Sequence, residues 1–263
     1  PPRSTLFPYT TLFRSLKALL DRDMEIAGEI QKKLQAVTFP EHPALEIYGA
    51  SQAAQGVSGD FFDVLRQGED KFLCVIADVQ GKGMSAGLVI VKIQTLMKAF
   101  IRREEIVLEK LLTEINDTIN DELEGDKFFT MILMLIDTAK QELEYINAAN
   151  PSMLLCRDGE IIRFDSDISP LGVSIGHSLH AEFKVRRAKI RPGDVFALYT
   201  DGITDAIDKR REFFTEDQLS GLLLQNREKS ALTIYKGVVD AIAEFTRDVP
   251  QQDDMTLLVV KVK

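Results

Sequence analysis

The stretch Lys71-Phe72-Leu73-Cys74-Val75-Ile76-Ala77-Asp78-Val79-Gln80-Gly81-Lys82-Gly83 decides the fold of this chain. Residues 73–77 are all apolar, a run too short for a buried helix and typical of a strand covered on both faces. The glycines that follow precede a long segment with helical apolar periodicity. We therefore predict that Asp78 ends a core strand and that the glycine loop beside it leaves room for an ion or a phosphate. The alternative is a surface aspartate that begins an ordinary turn.

The composition indicates one large domain, or one domain with an appendage, in 263 residues of which 45% are hydrophobic and 28% charged. The net charge of −9 argues against a nucleic-acid partner. No apolar run approaches the roughly 20 residues of a membrane span, so we expect no membrane insertion. Cys74 and Cys156 fall in separate predicted strands without CxxC spacing, which indicates buried thiols in a reducing cytoplasm.

The first 40 residues are predicted to stand apart from the domain. Residues 1–15 lack an initial Met and show neither helical nor strand periodicity, so we interpret them as a non-native leader and expect that an upstream sensor domain is missing. Residues 16–40 form the N-terminal linker or regulatory segment, with an amphipathic helix at 16–35. That helix either packs on the domain or belongs to a coiled-coil linker through which the chain forms a homodimer.

Residues 41–263 read as one domain of strands and helices. Strands are predicted at 45–50, 57–65, 71–78, 128–136, 142–147, 153–156, 161–164, 182–188, 195–199 and 255–262. Helices are predicted at 85–103, 104–123, 215–225 and 230–247. Gly59 and Asp60 interrupt the second strand, where glycine marks a bulge or a close approach. The order predicts an α+β fold with helices outside a sheet core.

Aspartates lie within or next to four predicted core strands. Asp78 and Asp201 each end an apolar strand, Asp253 and Asp254 directly precede another, and Asp60 interrupts a fourth. Carboxylates that converge raise each other's pKa and require cations to remain ionised together. Because no His or Cys lies nearby, the expected cations are Mg²⁺ or Mn²⁺ bound through oxygen rather than zinc.

Seven short motifs occur in order along the chain: Gly59-Asp60-Phe61-Phe62-Asp63, Asp78-Val79-Gln80-Gly81-Lys82-Gly83, Phe129-Thr130-Met131, Asn147-Ala148-Ala149-Asn150-Pro151, Ser169-Pro170-Leu171-Gly172, Leu198-Tyr199-Thr200-Asp201-Gly202-Ile203-Thr204-Asp205 and Asp253-Asp254-Met255-Thr256. Each is weak alone. As a set, in this order and spacing, they resemble the PPM-type metal-dependent serine/threonine phosphatases, in the bacterial SpoIIE/RsbU-like branch. The resemblance covers residues 26–262.

The resemblance implies a central β-sandwich flanked by helices on both sides, with a two-metal site that takes Mn²⁺ or Mg²⁺. It implies that Asp78 bridges both metals, that the carbonyl of Val79 binds one, and that Asp201 and Asp253 hold the other. Asp60 would contribute directly or through water. Supporting or additional metal contacts are expected from Asp254, Asp63 and Gly81.

The resemblance also implies a reaction and a partner. A water activated by the two metals would hydrolyse phosphoserine or phosphothreonine without a protein nucleophile, in a cytoplasmic phosphoprotein such as a STAS-type anti-anti-sigma regulator. The helix pair after Asp78, which includes Ser85, Leu88 and Val91, would be the regulatory element that completes the metal site.

The chain departs from the family pattern at three positions. Gln80 stands where a small residue is usual, Asn150 where His is usual and Ser58 where Gly is usual. None is an expected side-chain ligand, so we expect activity to survive, with a difference in substrate preference or rate. The alternative for Asn150 is that it belongs to a plain turn. Two other functions compete with the phosphatase: a degenerate phosphatase-like module that binds or sequesters a partner, and another two-metal hydrolase such as a nuclease.

Overall fold

The computed structural model describes residues 7–81, 83–103, 105–120, 128–166, 168–172 and 183–263. Helices in this part of the chain are α1 Phe7–Leu34, α2 Met84–Arg103, α3 Leu108–Asn120, α4 Asp201–Thr204, α5 Glu216–Asn226 and α6 Ala231–Thr246. Strands are β1 Leu45–Gln52, β2 Asp60–Gln67, β3 Lys71–Val79, β4 Phe129–Asp137, β5 Glu142–Ala148, β6 Met153–Arg157, β7 Glu160–Phe164, β8 Arg186–Lys189, β9 Val195–Tyr199 and β10 Met255–Val262.

The strands form two antiparallel sheets that pack face to face. Sheet A has the order β1-β10-β9-β6-β7 and sheet B the order β2-β3-β4-β5-β8. Residues such as Phe72, Ile76, Phe196 and Leu258 fill the space between the sheets. The outer face of sheet B is covered by α2 and α3, and the outer face of sheet A by α5 and α6. The predicted α+β class, a sandwich with helices on both sides, is confirmed.

Burial on both faces explains why the central strand β3 was found from the sequence as a continuous apolar run. In β3 the residues from Phe72 to Ala77 are all buried, because one set of side chains enters the layer between the sheets and the other set packs under α2 and α3. Strands β9 and β10 have the predicted bounds. Cys74 and Cys156 are free and buried in β3 and β6, as predicted.

Several predicted boundaries were wrong. Strand β2 begins at Asp60, so Gly59 lies in the loop before the strand and does not interrupt it. The four-residue α4 follows β9 after Thr200, where no helix was predicted. Helix α3 begins at Leu108, later than the predicted start at residue 104. Residue 104 and the predicted end at residue 123 both lie outside the described residues. The predicted strand at 182–188 is described as Arg186–Lys189, and residue 182 lies outside the described part.

Helix α1 begins at Phe7, well before the predicted start at residue 16. The expectation that residues 1–15 lack helical structure is therefore wrong for residues 7–15, and residues 1–6 lie outside the described part. Residues 12–20 are exposed, whereas Gly28 and Gln31 are buried. A Cβ placed on Gly28 would lie 1.8 Å from the carbonyl oxygen of Gly56. The end of α1 thus packs on the domain, and its first half does not.

Helix α2 is the one described helix that is long and apolar enough, by length and composition alone, to cross a membrane. Its apolar residues have another explanation in this fold. Ile90, Ile93, Met97 and Phe100 are buried against α3 and sheet B as part of one core cluster. This packing is that of a core helix in a globular domain.

Gly28→Ala is expected to detach the end of α1 from the loop at residues 53–59. Alanine favours a helix over glycine by up to about 1 kcal/mol. The clash with Gly56 is between backbone atoms, and overpacking of this kind costs about 1–3 kcal/mol. The variant should therefore unfold at a lower temperature and exchange the amide hydrogens of residues 24–34 faster.

Gly221→Ala is the matched control, because a Cβ at Gly221 of α5 meets no atom within 4 Å. We expect this variant to be neutral or more stable than the wild type. Equal effects of the two substitutions on melting temperature would contradict the tight contact of α1 with Gly56.

Candidate metal centre

Asp60 and Asp78 occupy directly opposite positions on neighbouring strands. Asp60 is the first residue of β2 and pairs with Asp78 near the end of β3. Directly paired residues in an antiparallel sheet have Cβ atoms about 4.5–5.5 Å apart on the same face. The side chain of Asp60 reaches residues of sheet A, so this pair lies at the edge of the layer between the sheets. The structure therefore brings together two of the predicted ligands.

The carboxylate of Asp60 is held from the opposite sheet by two hydroxyl groups. Thr200, directly after β9, donates its Oγ1–H to Oδ2 of Asp60 at 2.7 Å, and Thr256 in β10 donates to the same oxygen at 2.6 Å. Thr200 and Thr256 are bonded to each other through their backbones and through Oγ1 of Thr200. All three residues are buried. Asp60 thus joins the two sheets at one end of the sandwich.

The pKa of Asp60 is raised well above its ordinary value, mainly because burial removes water from the carboxylate and secondly because Asp78 is close. The hydroxyl bonds from Thr256 and Thr200 oppose this shift, and Asp254 adds to it. The carboxylate therefore has hydrogen-bond donors, whereas no positively charged group among the described residues is a cause of its pKa shift. A cation bound next to Asp60 and Asp78 would supply a positive charge.

Asp201 and Asp253 lie on neighbouring segments beside this pair. Asp201 follows Thr200 and begins α4, and Asp253 precedes β10. A Cβ placed on Gly202 would lie 1.9 Å from the carbonyl oxygen of Asp254, so α4 rests directly on the segment that carries Asp253. One turn further along, the pKa of Asp205 is raised by burial and then by the charge of Asp253.

Backbone carbonyl groups also approach the site. Val79 donates its N–H to the carbonyl oxygen of Gly59 at 3.0 Å. A Cβ on Gly59 would lie 3.0 Å from the carbonyl oxygen of Val79 and 3.1 Å from that of Gly81. The carbonyl oxygens of Val79 and Gly81, two residues predicted to contact a metal, therefore lie next to Gly59, the residue before Asp60.

The carboxylate of Asp254 is occupied by donors from the loop before β2. Its Oδ1 accepts the N–H of Ala54 at 2.7 Å, and its Oδ2 accepts the N–H of Gly59 at 2.7 Å and the hydroxyl of Ser58 at 3.1 Å. Asp254 is buried. Of the two adjacent aspartates, Asp254 holds the loop, which leaves Asp253 as the candidate ligand.

Asp63 lies on the opposite face of β2 from Asp60. It is buried and contacts α2 through Gln94, with Nε2 3.5 Å from Oδ2, and Lys98, with Nζ 3.7 Å from Oδ2. The structure therefore does not bring this predicted contributor to the other carboxylates. In the predicted regulatory helix pair, Ser85 and Leu88 are exposed on α2 and Val91 is half-buried.

Two of the three family departures have identifiable roles. Asn150 is buried, accepts the hydroxyl of Thr130 at 3.0 Å and donates to the carbonyl oxygen of Tyr199 at 2.8 Å, so it joins the two sheets rather than forming only a turn. The hydroxyl of Ser58 accepts the N–H of Asp60 at 3.0 Å. Gln80 is exposed, and its N–H donates to the carbonyl oxygen of Phe128.

Within the described residues, no group of three or more His, Cys, Asp or Glu side chains is arranged so that it could hold a metal ion alone. The donors fit Mg²⁺ or Mn²⁺ nonetheless. Mg²⁺ is usually held by one or two carboxylates and keeps several waters. Carboxylates of this kind come from two pairs, Asp60 with Asp78 and Asp201 with Asp253. The carbonyl oxygens of Val79 and Gly81 lie nearby.

Sequence reasoning missed the two threonines, Asp205 and the structural use of Asp254. Thr200 and Thr256 each lie within two residues of a predicted aspartate, at the ends of the apolar runs of β9 and β10. A threonine in that position is a signal for a hydroxyl donor to the carboxylate. Asp205 is four residues after Asp201, the spacing of one helical turn.

Comparison with known proteins agrees with this architecture. The SiaA-PP2C domain of Pseudomonas aeruginosa superposes with a TM-score of 0.78 at 20% identity, covering 94% of this chain and 99% of that domain. The PP2C phosphatase domain of SpoIIE from Bacillus subtilis gives a TM-score of 0.70 at 18% identity over 84% of this chain and 64% of that structure. The fold is that of the PP2C-type, or PPM-type, phosphatases.

The family described as Stage II sporulation protein E (SpoIIE) matches residues 68–263, and this chain belongs to that family. Protein IcfG of Synechocystis sp. is 28% identical over 90% of this chain, which spans only 41% of IcfG. Phosphoserine phosphatase RsbU of Bacillus subtilis is 24% identical over 95% of this chain and 73% of its own length.

The buried charge of Asp60 predicts how the stability of the metal-free protein depends on pH. The folded protein holds the Asp60 proton more tightly than the unfolded chain, in which the pKa is about 3.9. As pH rises above this value the unfolded chain releases the proton first, so the contribution of Asp60 to folding becomes progressively less favourable until the raised pKa is passed.

Asp60→Asn removes this titration while it keeps an oxygen that accepts the two threonine hydroxyls. We expect the stability of the variant relative to the wild type, measured by urea unfolding in EDTA, to increase from pH 4.5 to pH 8. Mn²⁺ should stabilise the wild type but not the variant. A stability difference that is independent of pH would contradict the raised pKa of Asp60.

Proposed function

We propose that this chain is a metal-dependent protein phosphatase that hydrolyses phosphoserine or phosphothreonine. The observation that carries the proposal is the placement of the buried Asp60 directly opposite Asp78, with the Asp60 carboxylate held by two hydroxyls of the other sheet and its pKa raised by burial and by Asp78. Membership of the SpoIIE family supports the same conclusion.

Two divalent cations, Mn²⁺ or Mg²⁺, would supply an acidified water and neutralise charge on the phosphoryl group when bound. Asp78 and the carbonyl of Val79 would hold these ions together with Asp201 and Asp253, and Asp60 would contribute directly or through a water. Thr200 and Thr256 hold Asp60 in place through its Oδ2, which fixes the carboxylate at the junction of the two sheets.

The thiol groups of the chain do not suit covalent catalysis. Cys74 and Cys156 are both buried, and burial raises the pKa of each thiol, to about 12 for Cys74. A thiolate nucleophile is therefore disfavoured at both positions. Direct attack by water agrees with this arrangement and needs no protein nucleophile.

The proposed substrate is a phosphorylated protein of the STAS type in a partner-switching pathway, and we place the reaction in the cytoplasm. Two relatives in Bacillus subtilis, RsbU and RsbP, are named phosphoserine phosphatases. The net charge of −9 disfavours a nucleic-acid substrate.

Regulation through the N-terminal helix is part of this proposal. Helix α1 carries exposed apolar residues at successive spacings of four, three, seven and four residues: Leu12, Leu16, Leu19, Ile26 and Ile30. This pattern is typical of a helix that pairs with a second helix. A homodimer formed through this stripe would connect an upstream sensor domain with α2 and its exposed residues Ser85 and Leu88. Relatives longer than this chain, such as IcfG, support the existence of further domains.

The decisive experiment measures phosphate release from a phosphoserine STAS-domain protein in Mn²⁺. We expect EDTA to abolish release and Asp201→Asn to reduce it by at least about 100-fold, since even the groups that orient metal ligands are worth about 10- to 100-fold. Asp158→Asn is the matched control, because Asp158 is exposed in the β6–β7 turn with a φ of 52°, a conformation that asparagine also adopts.

Each other outcome has a defined meaning. Mn²⁺ binding without release from any phosphoprotein tested would favour the phosphatase-like binding module. Cleavage of single-stranded DNA in Mn²⁺ that is lost in Asp201→Asn would favour the nuclease. Failure to bind Mn²⁺ at all would show that the carboxylates do not form a metal site.

A further inference from the structure

A cavity of about 250 Å³ lies between α6 and the outer face of sheet A. Its walls come from β1 and β10 of that sheet, from α4, from α6 and from the loop that follows α6. Nearer the start of α6 the packing is close, and Ile234 and Val238 are fully buried. Over the cavity the same helix has the half-buried Val239 and the exposed Ala243. The later part of α6 therefore leaves a gap above the sheet.

The lining of this cavity is mainly apolar and includes a few groups that can form hydrogen bonds. Its apolar part includes Ala50, Ile203, Val239, Ile242, Ala243 and Leu257. Tyr235 and Gln251 also line the cavity. The phenol of Tyr235 can donate a hydrogen bond, and the carboxamide oxygen of Gln251 can accept one. An apolar space with a small number of polar groups is typical of a site for a small molecule.

The charges around the cavity favour an uncharged ligand. Arg247 is the charged residue in the described part of the lining, and its Nη1 lies 3.4 Å from Oε1 of Glu244, one turn earlier on α6. An ionised ligand would have to displace this ion pair or enter a mainly apolar space without a partner, and unpaired burial of a charge is costly. A neutral molecule with one or two polar atoms avoids both.

The volume limits the ligand to about one ring system. An apolar cavity of about 150 Å³ can hold benzene, and sites for drug-sized molecules begin at about 300 Å³. The present cavity, at about 250 Å³, lies between these sizes. Indole fits this range and carries a single N–H, for which the Oε1 of Gln251 is a suitable acceptor.

Three side chains separate this cavity from the candidate metal centre. Thr246, Gln251 and Met255 line the cavity, and they also line a second, smaller one whose other walls include Asp205 and Asp253. A ligand in the larger cavity would therefore lie behind the same side chains that face a predicted metal ligand.

Gln251 fixes this dividing wall to the backbone on two sides. Its Nε2 donates to the carbonyl oxygen of Gln52, at the end of β1, at 2.8 Å and to that of Asp253 at 2.7 Å. A carboxamide has two N–H groups, so both bonds can exist together. Helix α4 forms another part of the cavity wall through Ile203, two residues after Asp201. Movement of these walls would shift the backbone that carries Asp253 or Asp201.

We propose that the cavity between α6 and sheet A is a binding site for a small uncharged aromatic molecule with one hydrogen-bonding group, and that its occupancy raises the affinity of the metal centre. The ring would pack between α6 and the sheet, and its polar group would bond Gln251. A filled cavity restricts the motion of segment 251–253, so less ordering remains for the metal to impose. The binding site itself is independent of the proposed reaction, whereas its effect on metal affinity rests on the proposed metal-dependent function.

The first measurement is the binding of indole to the metal-free protein, followed by calorimetry and by amide NMR spectra. We expect one saturable site with a dissociation constant on the order of 0.1–1 mM, as suits a ligand of this size. The largest changes in the spectra should occur at residues 50–52, 203, 239–247 and 251.

Ala243→Phe should fill the cavity with its own ring and leave no binding at indole concentrations that saturate the wild type. The exposed position on a helix favours folding of this variant, and Ala243→Leu should weaken binding in the same direction with a smaller side chain. Lys236→Phe is the matched control, because it places the same ring at an exposed position of α6 outside the cavity lining. The control should bind indole as the wild type does.

The second measurement is the affinity for Mn²⁺ with and without saturating indole. We expect indole to tighten Mn²⁺ binding by about fivefold or more, and saturating Mn²⁺ to tighten indole binding by the same factor, as linkage requires. Gln251→Leu keeps an apolar wall but removes its bonds to Gln52 and Asp253. This variant should still bind indole, about two- to tenfold more weakly for the loss of one hydrogen bond, while the coupling factor falls to about one.

The contrary outcomes separate the parts of the proposal. Absence of indole binding, or binding that is unchanged in Ala243→Phe and Ala243→Leu, would overturn the site. Binding that these variants remove, with a Mn²⁺ affinity that indole does not change, would overturn its effect on the metal centre. A wild type that binds indole but not Mn²⁺ would refute the metal centre and the coupling together. Coupled binding of both without phosphate release would refute the proposed reaction and support the inference.

Discussion

The double hydroxyl contact to Asp60 is the interaction on which the rest of the site depends. A carboxylate that is 1% exposed is costly to bury, and the bonds from Thr200 and Thr256 offset only part of that cost because they bring no positive charge. An arginine in their place would neutralise Asp60 and would compete with any cation. Threonine hydroxyls hold the carboxylate in place and leave its charge for a metal. Because Asp60 comes from one sheet and the threonines from the other, this arrangement exists only when the sandwich is assembled.

The remaining carboxylates are placed by the same two sheets. Pairing of β2 with β3 puts Asp78 opposite Asp60, and the contact of Thr200 with Thr256 aligns the end of β9 with the start of β10. Asp201 and Asp253 directly flank those two threonine-bearing segments. Gly202 allows α4 to rest on the backbone of Asp254, a contact that a side chain at this position would prevent. The site is thus positioned by strand register and backbone contact more than by bonds between its own side chains.

The sequence predicted the parts of this arrangement that depend on local pattern. The apolar runs of β3, β9 and β10 end in aspartate or begin after it, so the strands and their aspartates were found together. Asp253 and Asp254 could not be distinguished, because neighbouring residues of an extended chain point in opposite directions and the partners of Asp254, Ala54 and Ser58, are about 200 residues away in the chain. The start of β2 was misplaced because Gly59 lies within a run of strand-like residues. Residues 7–15 of α1 were interpreted as a non-native leader without helical periodicity, so the helical spacing of Leu12 with Leu16 and Leu19 was missed.

Helix α1 has two halves in different environments, and this difference bears on how the site is controlled. Residues 12–20 contribute exposed apolar surface, whereas Gly28 and Gln31 are fixed to the loop before Asp60. A partner that covers the exposed half can change the metal centre only if it favours one placement of the helix over another, since binding without such a preference shifts no equilibrium. In the proposed regulation, the contacts of the second half would supply that preference, because moving Gln31 would disrupt the peptide of Ser58 and with it the N–H bond of Asp60. A continuous helix would then couple the two halves without a contact between the partner and the carboxylates.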